Sequence, residues 1–296
     1  MTRSKQSYLY AGVAVLFWST IPTVFKIGLG ELDVLTMLSI ATFTSTFVLF
    51  VVIVIGNKLH LLAATTPQEL LTSILLGFLN PFLYYLILLK AYTLLPGQVA
   101  QPLNMIWPIV LVFLSVPLLK QKIPARSFLA LFISFAGVYV VSSQGHPFKT
   151  GSSNPLGVFL AAGSSILWSL YFIFNLRDKR DEAVKLFTNF LSASVYLIIA
   201  ITLTSHWDNI SGFKGIVASV YVGIFEMGIT FLFWLKALQL AETTDRICNL
   251  VYLAPFLSLF FLYFIINEPV YYTTPLGLIL IITGILIQNR KIKMTY

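Results

Sequence analysis

The chain is poor in the residues that most enzyme chemistry uses. It carries one cysteine, Cys248, three histidines and 11 acidic residues in 296 positions. A single thiol excludes an internal disulfide and a cysteine-rich metal site, and Cys248 reads as core packing. His60, His146 and His206 all fall in expected connections with no pair at ligand spacing, so each is expected on a surface loop. No G-x-S-x-G elbow, Walker-type phosphate loop or H-E-x-x-H run occurs, and the acids lie mostly in connections. These absences argue against an enzyme, a metal centre or a bound cofactor. No ATP-binding segment is present either, so uphill movement of a solute would have to draw on an ion or substrate gradient, with facilitated diffusion as the other option.

Charge is scarce as well. Only 10% of residues are charged against 58% apolar, with a mean hydropathy of +0.88, too little polar surface to cover a soluble globule. Ten apolar stretches follow, near 8–29, 34–55, 70–89, 99–119, 127–141, 155–176, 184–203, 213–235, 247–266 and 274–287. About 20 apolar residues cross a bilayer as a helix. Long apolar runs without period-two alternation favour helices over a barrel, so the expected fold class is an all-α integral membrane protein with ten transmembrane helices. The fifth stretch is short. Arg3 and Lys5 before the first stretch suggest a signal peptide, but its length and the lack of a small-x-small site favour a retained helix.

With ten crossings and both termini inside, 15 of the 19 basic residues fall on the cytoplasmic side and only Lys26, Lys90, Lys149 and Lys214 on the other. That is the positive-inside asymmetry, so the net charge of +8 reads as topology. Nucleic acid is excluded as a partner, because the basic residues are scattered through short loops rather than gathered on one face.

The chain also repeats itself. Gly77, Lys90, Ala91 and Leu94 recur 146 positions later as Gly223, Lys236, Ala237 and Leu240, while Pro108, Gln121 and Gly137 recur after 147 as Pro255, Glu268 and Gly284. The spacing covers five hydrophobic segments, an odd number, so the second unit is expected upside down relative to the first. The units are 1–145 and 155–296, and the Gly, Pro and Ser content of 146–154 suits an exposed linker. The mixed charges of 177–185 suit a second solvated loop.

Inside the helices lie polar groups that hydrocarbon would penalise by several kcal/mol each if left unsatisfied. The fourth stretch holds Gln98, Gln101, Pro102, Asn104, Trp107 and Pro108, with Gln101, Asn104 and Pro108 at spacings of one helical face. A kinked, amide-lined helix of this kind can cradle the charged end of a small zwitterion; the alternative is that the amides glue neighbouring helices. Glu226 lies deep in the eighth stretch, matched by the repeat to Asn80 in the third, and its protonation could couple to movement of a solute or simply lock two helices. Lys90 and Lys236 lie at helix ends on opposite faces, either snorkelling to headgroups or gating a cavity. Trp18 and Trp168 occupy matching places, each followed by serine; with Tyr85, Trp107, Tyr171, Trp234 and Tyr252 they form either core packing or a wall that offers cation-π contact. Pro22 is a candidate hinge. Tyr8, Tyr10, Tyr271 and Tyr272 suit an interfacial belt.

The run Asn104-Met105-Ile106-Trp107-Pro108 followed by Lys120-Gln121-Lys122 resembles the signature of YddG-type amino-acid exporters, in the EamA group of the drug/metabolite transporter superfamily. Ala91, Pro108 and Gly137, then Ala237, Pro255, Glu268 and Gly284, answer to the wider family pattern; Gln121 stands where the family has an acid. The resemblance implies two inverted five-helix repeats around a central cavity, a periplasmic linker between them, a bacterial inner membrane, and export of amino acids or similar small amphipathic metabolites by alternating access. A drug or other metabolite carrier and a non-transporting, lipid-interacting scaffold are the alternatives. A nucleotide-sugar substrate fits less well, since it would want basic residues at mid-membrane. The partners expected are a small-molecule substrate and the lipid bilayer, with a monomer as the default.

Overall fold

A computed structural model of the chain describes residues 2–95, 97–143, 154–204, 212–266 and 271–289. The expectations for His146, His206, Lys149, Glu268, Arg290, Lys291, Lys293 and the linker before Asn154 lie outside the described residues, as do those for the side chains of Gln98 and Pro102.

Every described element is helical. The helices are α1 (Arg3–Leu29), α2 (Val34–Ile55), α3 (Leu59–Ala63), α4 (Pro67–Gly77), α5 (Tyr84–Leu94), α6 (Gly97–Asn104), α7 (Trp107–Leu119), α8 (Ala125–Ser142), α9 (Pro155–Arg177), α10 (Glu182–Thr204), α11 (Phe213–Tyr221), α12 (Ile229–Leu240), α13 (Asp245–Cys248), α14 (Leu253–Ile266) and α15 (Thr273–Asn289). Among the described residues seven helical stretches are long and apolar enough to cross a membrane, and three shorter apolar helices accompany them, Trp107–Leu119, Ala125–Val140 and Pro275–Gln288.

Helix starts follow capping chemistry. Asp33 accepts from the backbone N–H groups of Leu35 at 2.9 Å and Thr36 at 3.1 Å, opening α2. Thr66 and Glu69 form a capping box at α4, with Pro67 at its first position. Lys120 ends α7 in the left-handed region, φ 54.

Two elements depart from uniform helices at places the repeat relates. Between α4 and α5 a π-helical turn, Phe78–Leu83, holds Asn80 in extended backbone (φ −156, ψ 125) ahead of a cis Pro81. Between α11 and α12 a second π-helical turn, Val222–Gly228, holds Glu226. Both third-helix equivalents therefore widen where a polar residue is buried, a feature often found at functional sites.

The fourth stretch breaks into α6 and α7 at Met105–Ile106, which fits the kink expected from its prolines. Gln101 and Asn104 line the central cavity, whereas Pro108 is buried outside its lining. The ninth stretch is α13, a 3-10 turn over Asn249–Tyr252, and α14. Helix α3 is an addition to the expected set, formed by helix-favouring residues ahead of the Thr66 cap.

Packing exchanges partners between the two units. Helix α1 lies against α12 and α14, and α9 against α5 and α7; α2 packs on α10 and α11, and α10 also on α4. Lipid tails are as apolar as leucine, so close helix approach rather than water exclusion holds such a bundle. A Cβ at Gly77 would collide with the Asn189 carbonyl of α10, and one at Gly223 would lie 2.6 Å from Thr44 Cβ of α2. Gly137 and Gly284 do the same between α8 and α15 in one chain, whereas Gly12 faces open space.

Candidate functional site

Four helices deliver four tryptophans to one place in the bundle. Trp18 of α1 packs on Trp107 at 5.9 Å between ring centroids, on Trp168 of α9 at 5.9 Å and on Trp234 of α12 at 5.2 Å. Trp107 in turn lies 5.7 Å from Trp168 and 5.4 Å from Trp234. These tilted and edge-on contacts are the arrangement that ring quadrupoles favour. The break before α7 sets Trp107 at the first position of that helix. Ser169 fastens the break, its hydroxyl donating to the Trp107 carbonyl at 3.0 Å.

Against this cluster is a cavity of about 40 Å³, room for two or three waters. Of the expected site residues it is lined by Trp18, Pro22, Gln101, Asn104, Trp107, Trp168 and Glu226. Asn104 ends α6 and its side-chain nitrogen donates to Ser164 Oγ at 3.0 Å and to the Tyr84 hydroxyl at 3.3 Å. Glu226 is buried, with 6% exposure. Its Oε1 accepts from the Tyr85 hydroxyl at 2.7 Å and the Trp18 indole stands beside the carboxylate, while Oε2 and the indole nitrogens of Trp18, Trp168 and Trp234 make no hydrogen bond of ordinary geometry among the described residues. None of the described residues that line the cavity is lysine or arginine.

The other expected residues take other places. Tyr85 and Trp234 stand behind the lining, through Glu226 and the tryptophans. Asn80 is fully buried with both amide atoms unpartnered, away from the cavity. Tyr171 packs on Phe231, and its hydroxyl accepts from Asn189 at 3.3 Å, which makes it part of a helix-joining group. Tyr252 packs against Phe135 at 6.3 Å, outside the cavity. Lys90 is exposed. Lys236 does not line the cavity and pairs with Glu182 at 3.1 Å at the end of the bundle. Pro22 borders the cavity inside an α1 that runs unbroken from Arg3 to Leu29.

Sequence reasoning passed over Tyr84, Tyr92, Phe25 and Met105, all of which line the cavity, and Ser164, which holds Asn104. Ser164 had a signal, lying one turn before Trp168; Phe25 and Met105 had none, since an apolar residue in an apolar helix carries no mark of the face it presents.

The end of the bundle that carries Lys58, Arg180 and Lys236 is densely bonded. Lys58 reaches Asp181 at 2.7 Å and Arg180 reaches Asp178 at 2.6 Å. Lys185, fully buried, donates to the carbonyls of Asn175 and Asp178, each at 2.7 Å. Burial pushes the Asp178 carboxyl up, but hydrogen bonds and charge from Arg180 outweigh it and hold the group below its ordinary value of 3.8. Gln121 binds across this end, its Oε1 accepting from the Thr244 backbone N–H and hydroxyl, both at 3.0 Å, so the residue that departs from the family's acid caps the start of α13.

The EamA-like transporter family matches residues 5–143 and again 155–290. The chain is 24% identical over 250 residues to the uncharacterized transporter YvbV of Bacillus subtilis (strain 168), covering 83% of this chain and 79% of that protein. It is 23% identical over 292 residues to an uncharacterized transporter of Archaeoglobus fulgidus, covering 97% and 99%. A solved crystal structure of a protein superposes with a TM-score of 0.79 at 20% identity over 96% of both chains, a likeness of fold. With the family matching nearly the whole length and multiple apolar helices long enough to span a bilayer, the chain is a multi-pass membrane protein that belongs to the EamA-like transporter family of the drug/metabolite transporter superfamily.

Proposed function

We propose that the chain is a secondary active or facilitative transporter that exports amino acids or similar small amphipathic metabolites across a bacterial inner membrane by alternating access. The observation that carries this reading is Glu226, a buried carboxylate with one unpartnered oxygen beside a cluster of four tryptophans. A buried charge inside a membrane bundle is a functional position by default, and an acid beside indole faces is the chemistry that holds an ammonium. Asn104, Gln101 and Tyr84 supply neutral hydrogen-bonding groups for the other end of a zwitterion. Glu226 is also a group whose protonation would couple transport to proton movement.

Ten crossings suit the reading. Seven long helical stretches and three shorter apolar helices make that number, with α6 lengthening α7. Two inverted halves, 1–145 and 155–296, joined by a periplasmic linker at 146–154, are supported by the matched π-helical turns and the exchanged packing of α1 and α9. The basic residues favour cytoplasmic termini. The cavity as it stands has room for a few waters, so in this reading substrate enters after the helices part. Phe25, Tyr92 and Gln101 line it toward the end opposite Lys58 and Lys236.

A second reading is favoured by one specific observation. Among the described residues no cationic side chain lines the cavity to receive a carboxylate, which also suits an amine or drug cation. Counterflow in proteoliposomes decides between them. Labelled amino acids and labelled organic amines are each tested against internal excess, in wild type and Asn104→Ala. Amino-acid accumulation lost in the variant supports the proposal; accumulation of amines alone gives the second reading, and silence from a folded, inserted protein refutes both.

A further inference from the structure

A lateral groove distinct from the central cavity lies at the densely bonded end, between α4 with its π-helical turn and the end of α9. Its volume is about 680 Å³, within the range of small-molecule sites. The floor is apolar, formed by Leu75, Phe78, Leu79, Leu83 and Phe174, of which Leu75, Phe78 and Phe174 are exposed. The rim at that end is polar, with Glu69, Arg177, Asp178 and Lys179.

The charges on the rim are not equivalent. Glu69 is engaged with Thr66, its Oε2 accepting from the backbone N–H at 2.8 Å and from the hydroxyl at 2.9 Å. Asp178 is engaged with Arg180, whose guanidinium also reaches Ser73 of α4 at 2.8 Å. Arg177 and Lys179 are exposed and have no ion pair or side-chain hydrogen bond among the described residues. Asp178 is ion-paired within the protein, and Glu69 keeps its charge but is turned to Thr66. Arg177 and Lys179 together outweigh it, so the rim offers two unpaired cations and a net positive charge above a long apolar trough.

We propose that this groove is a binding site for an anionic phospholipid of the adjoining leaflet, its phosphate on Arg177 and Lys179 and an acyl chain along Leu75, Leu79 and Phe174. Basic rims over apolar clefts between membrane helices are the chemistry that anionic headgroups recognise. A lipid seated there would join α4 to the end of α9, the same two elements that Arg180 joins through Ser73 and Asp178. The site stands apart from the proposed transport function and needs no transported solute.

The test uses purified full-length chain in a neutral detergent, with native mass spectrometry and thermal unfolding measured after adding phosphatidylglycerol or phosphatidylcholine. Wild type is expected to retain phosphatidylglycerol and to gain about 5 °C in Tm at saturating lipid, with little gain from phosphatidylcholine. The double variant Arg177→Gln, Lys179→Gln should keep its Tm in detergent alone and lose the lipid-specific gain. Leu79→Trp, which fills the trough but leaves the charges, should lose retention as well. Equal gains from both lipids, retention unaffected by either variant, or no retention by wild type would each overturn the proposal. Should the double variant fail to fold, Leu79→Trp alone decides.

Discussion

Glu226 keeps Oε2 without a partner while Oε1 takes the Tyr85 hydroxyl. A buried oxygen of this kind is ordinarily satisfied, so the unmatched one is where a ligand proton or ammonium would go. Glu226→Gln preserves size and the Tyr85 contact but removes the charge. It is expected to weaken counterflow of an amine-bearing substrate at least about tenfold, roughly 1.4 kcal/mol, and to abolish the pH dependence of transport, with Tm in detergent little changed. Retained pH dependence in proteoliposomes would refute a coupling role for this residue. The burial and depth of Glu226 were legible in the sequence because an acid in an apolar run has no other place to go. Its engagement with Tyr85 was not, since the two residues lie 141 positions apart.

At the level of elements, helix existence was plain from apolar runs, and the boundaries of α2 match the expected stretch residue for residue. The interruptions were only half legible. Pro102 and Pro108 announced a kink in the fourth stretch, and the structure breaks it before Trp107. Nothing local announced the π-helical turn around Glu226, which contains no proline; only its repeat partner at Asn80-Pro81 hints at it. Close approach of helices is similarly decided at single glycines. Gly223→Val would place a side chain against the Ala41 carbonyl and Thr44 of α2. We expect a loss of about 1–3 kcal/mol from overpacking, read as a lower Tm in detergent, with Gly12→Ala as a near-neutral control because nothing lies within 4 Å of it.

For the whole molecule, the proposed alternating access would require the bonded end to part, which makes its ion pairs a latch in that proposal. The pairs Lys58–Asp181 and Lys236–Glu182 are part-exposed, so each contributes about 0.2–1 kcal/mol. Lys58→Ala combined with Lys236→Ala should therefore raise the open population a few-fold. A cysteine placed at Ala183, buried at this end, in a Cys248→Ser background should then be labelled correspondingly faster; an unchanged rate would refute the latch. Asp178 adds a pH limb. Its folded-state value is depressed, so its stabilising contribution is fully present above the ordinary carboxylate value and is lost as pH falls through the lower folded one. Tm should decline below about pH 4, and Asp178→Asn should flatten that decline while lowering Tm at neutral pH.

Composition and hydropathy by themselves determined that this chain is helical and lives in a bilayer, because the solvent preference of each side chain acts one residue at a time and sums along a segment. The repeat likewise required only the order of residues. The tertiary structure decided which side chains meet. Trp18, Trp107, Trp168 and Trp234 converge, whereas Asn80, Tyr171 and Tyr252, equally polar-tipped and equally inside helices, do not line the same cavity. The reason is geometric: a helix in lipid is apolar on every side, so its sequence carries little mark of which face turns inward. That choice falls to glycine contacts, helix breaks and hydrogen bonds between segments far apart in the chain.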